Sequence, residues 1–367
     1  MDIKKDLPGI QENILLKDYT TFKIGGKAKY FFEAKGKEEL IKAILVARKF
    51  KLPFFILGGG SNILVSDRGF KGIVIKCQMS NVKCQNQNSK LKTIYAEAGT
   101  PLAFLVSMAV KKWWTGLEWA IGIPGTIGGA IYGNAGAFGK SIGDTIKSVE
   151  ILKIPGYKIP NSKFQIPNKF QIPKFKTKIL KNKDCKFSYR DSVFKQNNNL
   201  VVLSAEIQLK KGKKLKIQKK IKEYLNYRRK TQPLNFPSAG SVFKNPSGFS
   251  AGELGEEDKS SSLAFAAAWL GEEDKSSSLA FAAARLSEED KSSSLAFAAA
   301  RLIEECGLKG KMIGKAKISE KQANFIVNLG RAKAKDVKRL INLIKKKVKK
   351  IFGITLEEEI QYLGFKK

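Results

Sequence analysis

Apolar residues recur in two different periods along the chain, and the alternation between them predicts a mixed architecture. In KEELIKAILVARKF (37–50), Leu40, Ile41, Ile44, Leu45 and Phe50 follow the three-to-four spacing of a single helix face. The next run, LPFFILGGGSN (52–62), is compactly apolar and ends in glycines, the pattern of a buried strand closing on a turn. GIVIKC (72–77) and TIYAEAGT (93–100) predict further strands, and PLAFLVSMAVKKWW (101–114) predicts a helix with Pro101 near its first turn. Farther on, RAKAKDVKRLINLIKKKVKKIFG (331–353) carries Val337, Leu340, Ile341, Ile344, Val348 and Ile351 on one face, with Asp336 as its expected N-cap and Gly353 as its stop. A basic amphipathic helix can also lie on a membrane or an acidic partner. The two caps favour packing through the stripe.

Two segments break these periods by repetition. Between 151 and 180, KIPN, KFQIPN and KFQIPK recur, and proline at that spacing excludes a helix or a central strand, so an extended hairpin loop is expected. Residues 255–302 hold three copies of one sixteen-residue unit: GEEDKSSSLAFAAAWL, GEEDKSSSLAFAAARL and SEEDKSSSLAFAAARL. Each offers serine as an N-cap to LAFAAA. As one unbroken helix, successive units would turn their apolar patches by about 160°, so short helices folded on one another are expected. Removing the 48 residues joins Leu254 to Ile303 and leaves SAGELIEECGLKG, an amphipathic helix with Gly307 as cap. The repeat therefore reads as an insertion into a helix.

Composition narrows the chemistry. With 367 residues, 43% of them hydrophobic, the chain can bury a full core and form two or three domains. LAFLVSMAV (102–110) and LAFAAAWL (263–270) are far shorter than the ~20 residues of a membrane span, and MDIKKDLPGI lacks the apolar centre of a signal peptide. A cytoplasmic protein without membrane insertion is expected. There is no histidine, which excludes Ser/His/Asp and Cys/His nucleophiles and histidine metal sites. Cys77, Cys84, Cys185 and Cys306 form no CxxC pair, so neither a zinc site nor any other metal site is expected. The formal charge of +35 would attract a polyanion. The lysines are spread along the whole chain, however, as in a generally basic surface that draws in a phosphate-bearing substrate.

Glycine marks the candidate binding segments. NAGAFGKS (134–141) nearly matches a P-loop, but Asn134 stands where its first glycine belongs; no GxGxxG occurs. What remains is GGGSN (58–62) and GIPGTIGGAIYGNAGAFG (122–139). Backbone amides in such turns can bind phosphate. Two of them suit the two phosphates of one dinucleotide. Each alone also reads as a tight turn between strands.

Several segments resemble, in order, those of the UDP-N-acetylenolpyruvoylglucosamine reductase family (UDP-N-acetylmuramate dehydrogenases). They are TTFKIGGKA (20–28), ILGGGSNILVSDRGF (56–70), GLEWAIGIPGTIGGAIYGNAGAFG (116–139), FSYRDSVFK (187–195), RRKTQPLNFPSAGSVFKNP (228–246), ISEKQANFIVNLG (318–330) and GITLEEEIQYLG (353–364). Together they span nearly the whole chain apart from 151–180 and the repeat. The resemblance implies an α+β fold: a two-lobed FAD-binding domain of the vanillyl-alcohol-oxidase-like type plus a C-terminal α+β substrate domain. The expected boundaries are 1–215 for the FAD domain, with its lobes dividing near 66, then 216–353 for the substrate domain, and 354–367 for a strand that returns to the FAD domain.

The resemblance also implies roles. Gly58, Gly59, Gly60, Ser61 and Asn62 would bind FAD, together with Gly122, Ile123, Pro124, Gly125, Thr126, Gly128 and Gly129. NADPH would supply hydride for reduction of the enolpyruvyl group of a nucleotide sugar, a step of peptidoglycan synthesis. Ser241 would be the proton donor, while Arg190 and Glu359 would polarise the substrate carboxylate and stabilise the enolate-like intermediate. Arg229, Lys230, Asn245 and Gln322 would hold the substrate. From the residues alone, Arg190 could equally pair with Asp191, Ser241 could satisfy a turn, and strand period puts Glu357 and Glu359 on one face without choosing between them. A monomer that binds no nucleic acid is expected, and the shorter subtype of the family. The alternatives are a basic nucleic-acid-binding protein on an inactive flavoprotein scaffold, resting on the charge, and an FAD oxidase.

Overall fold

In the computed structural model, residues 2–85, 89–154, 176–246 and 298–365 are described. Most of the KIPN/KFQIP run and all of the sixteen-residue repeat except 298–302 lie outside them.

The first lobe opens with α1 (Ile3–Asp6) and is built on β1 (Gln11–Leu15), β2 (Lys27–Ala34), β3 (Phe54–Leu57), β4 (Ile63–Val65) and β5 (Phe70–Cys77), with α2 (Lys37–Lys49) after β2. Its sheet runs β1-β2-β5-β3; β1 is antiparallel to β2, and β2 and β3 are parallel to the central β5. Both faces of β5 are covered, which is why GIVI is continuously apolar. Ile73 and Ile75 pack with Leu40, Ala43 and Ile44 of α2, whereas Val74 packs with Phe31, Leu57 and β4. Because β5 is the middle of this sheet, the lobe ends after Cys77 and not near residue 66.

The second lobe contains β6 (Val82–Gln85), β7 (Leu91–Glu97), β8 (Trp114–Thr115), β9 (Gly136–Ala137), β10 (Lys140–Ser141), β11 (Ile146–Lys153), β12 (Lys176–Lys181) and β13 (Leu200–Lys211). Its main sheet is antiparallel in the order β12-β11-β13-β7-β6, with β8 beside the end of β13. Lys153 pairs with Lys176, so the chain leaves and re-enters as neighbouring strands around 155–175. Helices α3 (Leu102–Lys111), α4 (Ile127–Tyr132) and α5 (Val193–Gln196) contribute Leu105, Val106, Ile127, Ile131 and Phe194 to a core shared with Val149, Ala205 and Ile207. The near P-loop is a hairpin: Phe138 and Gly139 both have positive φ (54° and 68°) between β9 and β10, as a two-residue type I′ turn requires.

Helix α6 (Lys214–Thr231) follows. Its Ile221 and Tyr224 pack against the second lobe, and Tyr224 stacks on Phe138 with centroids 4.0 Å apart. The boundary at 215 is thereby corrected: α6 completes the second lobe, and the third core begins after Thr231.

That core comprises β14 (Ser238–Ser241), α7 (Ala299–Glu305), β15 (Met312–Ile313), β16 (Ala316–Ile318), β17 (Phe325–Asn328) and α8 (Ala334–Phe352). The sheet order is β14-β17-β16-β15. The α8 stripe, Val337, Leu340, Ile341, Ile344 and Val348, is buried with Leu302 and Ile303 of α7, and Phe22, Ile24 and Leu64 of the first lobe share the cluster. Gly353 caps α8 at φ +70°, but Asp336 lies inside the first turn, so it is not the N-cap. The free amides there are taken by Asp67 from the first lobe: Ala334 N–H donates to Asp67 Oδ1 at 2.8 Å and Lys335 N–H to Oδ2 at 3.1 Å. The last strand, β18 (Gln361–Leu363), pairs parallel with β4.

Candidate active site

The two glycine segments meet. Gly58 to Asn62 bridge β3 and β4, and an added Cβ on Gly58 would lie 2.6 Å from Thr126 Oγ1, on Gly59 2.5 Å from Gly125 Cα. Gly60, at φ +65°, would drive its Cβ to 2.1 Å from the carbonyl of Tyr19. Ser61 Oγ donates to the Pro124 carbonyl at 3.1 Å. Gly128 is close to Ala98 and its N–H donates to the Ala98 carbonyl at 2.8 Å. Part of the glycine content thus serves backbone against backbone. Gly122, at φ +74°, lies over Arg228 Cδ, and Ile123 N–H donates to Ala120 O at 3.0 Å. Gly129 is exposed, its nearest neighbour on an added Cβ being Thr126 Oγ1 at 3.7 Å.

These loops fit the diphosphate of FAD. Among the described residues, the main-chain N–H groups of Gly58, Gly59, Gly60, Ser61 and Asn62 donate no hydrogen bond, nor do those of Gly125 and Thr126. Unpaired main-chain donors at a concave turn are the makings of an anion site. Lys76 adds a cation, its ammonium donating to the Gly58 carbonyl while burial lowers its pKa.

The three residues expected to do the acid–base work come from remote segments. Arg190 lies in a turn at φ +54°, closed by mutual hydrogen bonds between Ser188 and Asp191. Its Nη2 donates to the Gly136 carbonyl at 2.9 Å, and its Nε is 2.9 Å from Glu359 Oε1. Asp191 is engaged elsewhere, accepting from Ser192 N–H at 2.9 Å and Gln196 Nε2 at 2.8 Å. Glu359 is placed by its own main chain: its N–H donates to Val242 O at 2.8 Å, and Lys244 N–H donates to Glu357 O at 2.9 Å. Asn62 Nδ2 donates to the Glu359 carbonyl at 3.2 Å, and Gln361 N–H to the Asn62 carbonyl at 3.0 Å. Glu359 is therefore sewn between the glycine loop after β3 and the residue following Ser241. Ser241 ends β14 opposite Phe325, next to Gly240, whose φ is +78° and which has no heavy atom of the described residues within 4 Å of an added Cβ. The turn there is satisfied by Ser238, whose Oγ accepts from Gly240 N–H at 3.4 Å.

Residue parity sorts the three glutamates. Glu357 pairs with Lys244 Nζ at 2.5 Å on the same side as Glu359, while Glu358 turns the other way to Lys345 Nζ at 2.8 Å and to the Tyr362 hydroxyl. Burial raises the pKa of Glu359, and the cations Arg190, Lys195 and Lys244 oppose that rise. Lys195 and Lys244 were not among the residues singled out from sequence, although both lie in quoted motifs, YRDSVFK and SVFK.

The expected substrate residues divide. Arg229 and Lys230 are exposed at the end of α6, and the Arg229 carbonyl accepts from Lys321 Nζ, next to Gln322, which forms the turn before β17. Asn245 falls in with Arg190 instead: its N–H donates to the Tyr189 hydroxyl at 3.2 Å, and Arg190 lies over the Tyr189 ring. Asn245 Oδ1 accepts from Ala299 N–H at 3.2 Å, capping α7. Arg228, not Arg229, is the buried cation of α6; its Nη2 donates to Trp119 O at 3.4 Å and its guanidinium covers Phe138. Burial pushes the Cys77 and Cys185 thiols up to about 11. Among the described residues no cluster of Cys, Asp or Glu could hold a metal ion, and no helix is long and apolar enough to cross a membrane.

Residues 28–157 match the FAD binding domain family, and residues 232–363 match the UDP-N-acetylenolpyruvoylglucosamine reductase C-terminal domain family. A reductase of that name from Caldanaerobacter subterraneus subsp. tengcongensis is 37% identical over 352 residues, covering 96% of this chain and 92% of the relative. One from Clostridium novyi is 33% identical over 370 residues, covering 99% and 97%. The crystal structure of the UDP-N-acetylenolpyruvylglucosamine reductase (MurB) from Thermus caldophilus superposes with a TM-score of 0.65 at 28% identity, over 96% of this chain and 99% of that one. The chain belongs to the UDP-N-acetylenolpyruvoylglucosamine reductase family and is an FAD-containing oxidoreductase.

Proposed function

We propose that the chain reduces the enolpyruvyl group of UDP-N-acetylglucosamine enolpyruvate to the lactyl ether, giving UDP-N-acetylmuramate for peptidoglycan synthesis. The observation that carries this reading is the convergence on one carboxylate: Glu359 is ion-paired with Arg190 at 2.9 Å and hydrogen-bonded through its main chain to Val242, beside Ser241, and to Asn62 of the cofactor loop.

FAD, when bound, would supply the hydride chemistry that links NADPH to the enolpyruvyl double bond. Everything else falls to the chain. The unpaired amides of Gly58 to Asn62, Gly125 and Thr126 would hold the FAD diphosphate, with Gly122, Ile123, Pro124, Gly128 and Gly129 completing the wall. Arg190 anchors the substrate carboxylate and meets the negative charge that grows there. Glu359, paired with Arg190 and made harder to ionise by burial, donates to that charge when it carries a proton. The Ser241 hydroxyl protonates the carbon that becomes carbanionic, a transfer open to a weak acid only because its acceptor is a strong base. Arg229, Lys230, Asn245 and Gln322 grip the nucleotide sugar, so that residues 1–231 serve the cofactor and 232–353 the substrate. The enzyme acts as a cytoplasmic monomer.

The test is anaerobic. NADPH should bleach the flavin of the purified protein, and UDP-N-acetylglucosamine enolpyruvate should restore the colour with one equivalent of UDP-N-acetylmuramate formed. Reoxidation indifferent to that substrate, or steady peroxide production from an alcohol or sugar in air, would overturn the reading.

A further inference from the structure

The Arg190 turn is held at φ +54°, a left-handed backbone region in which a non-glycine Cβ crowds the carbonyl oxygen. A position like that persists only where its surroundings enforce it. The enforcing group is on the next element. Lys195, in α5, donates from Nζ to the Arg190 carbonyl at 2.9 Å. Helix α5 is itself anchored, since Ser192 Oγ donates to the Tyr132 carbonyl at 2.7 Å and Phe194 is fully buried. Lys195 thus ties the turn to a fixed point in the second lobe through the Arg190 carbonyl, leaving its guanidinium to Gly136 and Glu359.

We propose that Lys195 is a positioning residue: its ammonium clamps the left-handed Arg190 turn so that the guanidinium meets Glu359, and its charge acts on the Glu359 carboxylate from a second direction. The inference rests on the catalytic reading of Arg190 and Glu359 above.

The charged groups facing Glu359 can be counted by element. The Arg190 turn supplies Arg190, α5 supplies Lys195 and the 242–244 segment supplies Lys244, while Asp191 and Glu357 act on Lys195 and Glu357 is paired with Lys244. Of the three cations, Arg190 is the direct partner and Lys244 is taken up by Glu357. Among the described residues Lys195 has no carboxylate within ion-pair distance, so removing it takes a positive charge from around Glu359 that no other partner already offsets, and burial then pushes Glu359 higher still. Lys195 itself is poised by burial and by Lys244, which lower its pKa, against Asp191, Glu359 and Glu357.

Three variants test this. Lys195→Met should bind flavin with wild-type absorbance and be bleached by NADPH within twofold of the normal rate, yet be reoxidised by the enolpyruvyl substrate at least tenfold more slowly. The limb of its pH profile that vanishes in Glu359→Gln should move to higher pH. Lys195→Arg, which keeps charge and donor, should recover most of the rate and return the limb. A Lys195→Met limb at the wild-type position, or Lys195→Arg no better than Lys195→Met, would overturn the proposal. If Lys195→Met does not hold flavin, the same comparison is made with Lys195→Gln, and loss of flavin there too overturns it in favour of a structural role. Should Glu359→Gln keep every limb, the catalytic reading of Glu359 fails instead, a result separable from failure of Lys195.

Discussion

Glu359 Oε1 stands 2.9 Å from Arg190 Nε, with both side chains largely shielded, while the pKa of Glu359 is nonetheless raised. Burial outweighs the ion pair, so this carboxyl is less willing to ionise in the folded protein than in the unfolded chain. Glu359→Gln, an uncharged mimic of its protonated form, should slow substrate-driven flavin reoxidation about 10²-fold to 10³-fold, the usual cost of removing one stabiliser of developing charge. The linkage gives a second outcome. A raised folded-state pKa contributes stability below the unfolded value that is lost as pH rises through the folded one. The Tm of wild type relative to Glu359→Gln should accordingly fall as pH rises from the ordinary carboxylate range towards neutrality. A Tm difference that is flat with pH would show that Glu359 ionises normally.

The glycine loops separate two demands on one residue type. At Gly59 and Gly60 the space is filled by backbone, so Gly59→Ala and Gly60→Ala should each destabilise by more than about 2 kcal/mol and release flavin. Gly129 is exposed on α4 with nothing closer than 3.7 Å to an added Cβ. Gly129→Ala should hold or raise the unfolding free energy, by up to about 1 kcal/mol from helix propensity, while weakening FAD. Denaturant titration and flavin retention on one sample distinguish these cases, and a Gly129→Ala protein with unaltered FAD affinity would remove that glycine from the cofactor wall.

What could be read from the sequence was local. The α8 stripe, the buried run of β5 and the glycine turn after β3 each follow from periodicity or from one residue's conformational range. The lobe boundary was misplaced because nothing in GIVIKC says that β5 inserts between β2 and β3 rather than opening a new sheet. Helix α6 was assigned to the wrong unit for a similar reason: its weak stripe packs on Phe138, a residue positioned by a type I′ turn far upstream. Arg190 and Glu359 came only from resemblance, since parity allowed Glu357 as well and the discriminating contact joins distant segments. Lys195 was invisible because its partner is a main-chain carbonyl.

The cap of α8 is another such contact, and it can be measured. Asp67 spends both carboxylate oxygens on Ala334 and Lys335, supplying from the first lobe what Lys333 at the N-cap position does not. Asp67→Ala should cost about 1–2 kcal/mol in chemical unfolding, with Asp67→Asn keeping one of the two bonds and falling between. Because α8 carries the core shared with Phe22, Ile24 and Leu64, the loss should appear in the main transition and not as fraying at a terminus. An Asp67→Ala variant within about 0.3 kcal/mol of wild type would mean that solvent satisfies those amides equally well.

The sixteen-residue repeat offers the sharpest test of which residues the core requires. Only the end of its third copy is described, and there Ala299 and Leu302 are buried in α7, with Ala298 at the N-cap offering no side-chain acceptor of its own and Asn245 Oδ1 taking the Ala299 amide. Deleting 255–302 brings SAGEL onto that helix in register: Ala251 replaces Ala299, Leu254 replaces Leu302, and Ser250 replaces Ala298. Both buried side chains are conserved by the exchange, and the cap position gains a residue able to accept from the first turn, worth about 1 kcal/mol. The connection is feasible because Asn245 Oδ1 already touches the Ala299 amide at 3.2 Å. Residues 246–250 then have only that gap to close. The cap gain is offset by Gly252 in place of Ala300, which costs about 1 kcal/mol in a helix, and by Glu253 in place of Arg301, which removes the ion pair with Glu305. The deletion protein should therefore retain its flavin and turnover at a stability level with the full chain or about 1 kcal/mol below it. Ser250→Ala in the deletion background should cost about 1 kcal/mol more. A deletion protein that folds with flavin bound but reduces no substrate would show that the repeat has been recruited into the substrate site.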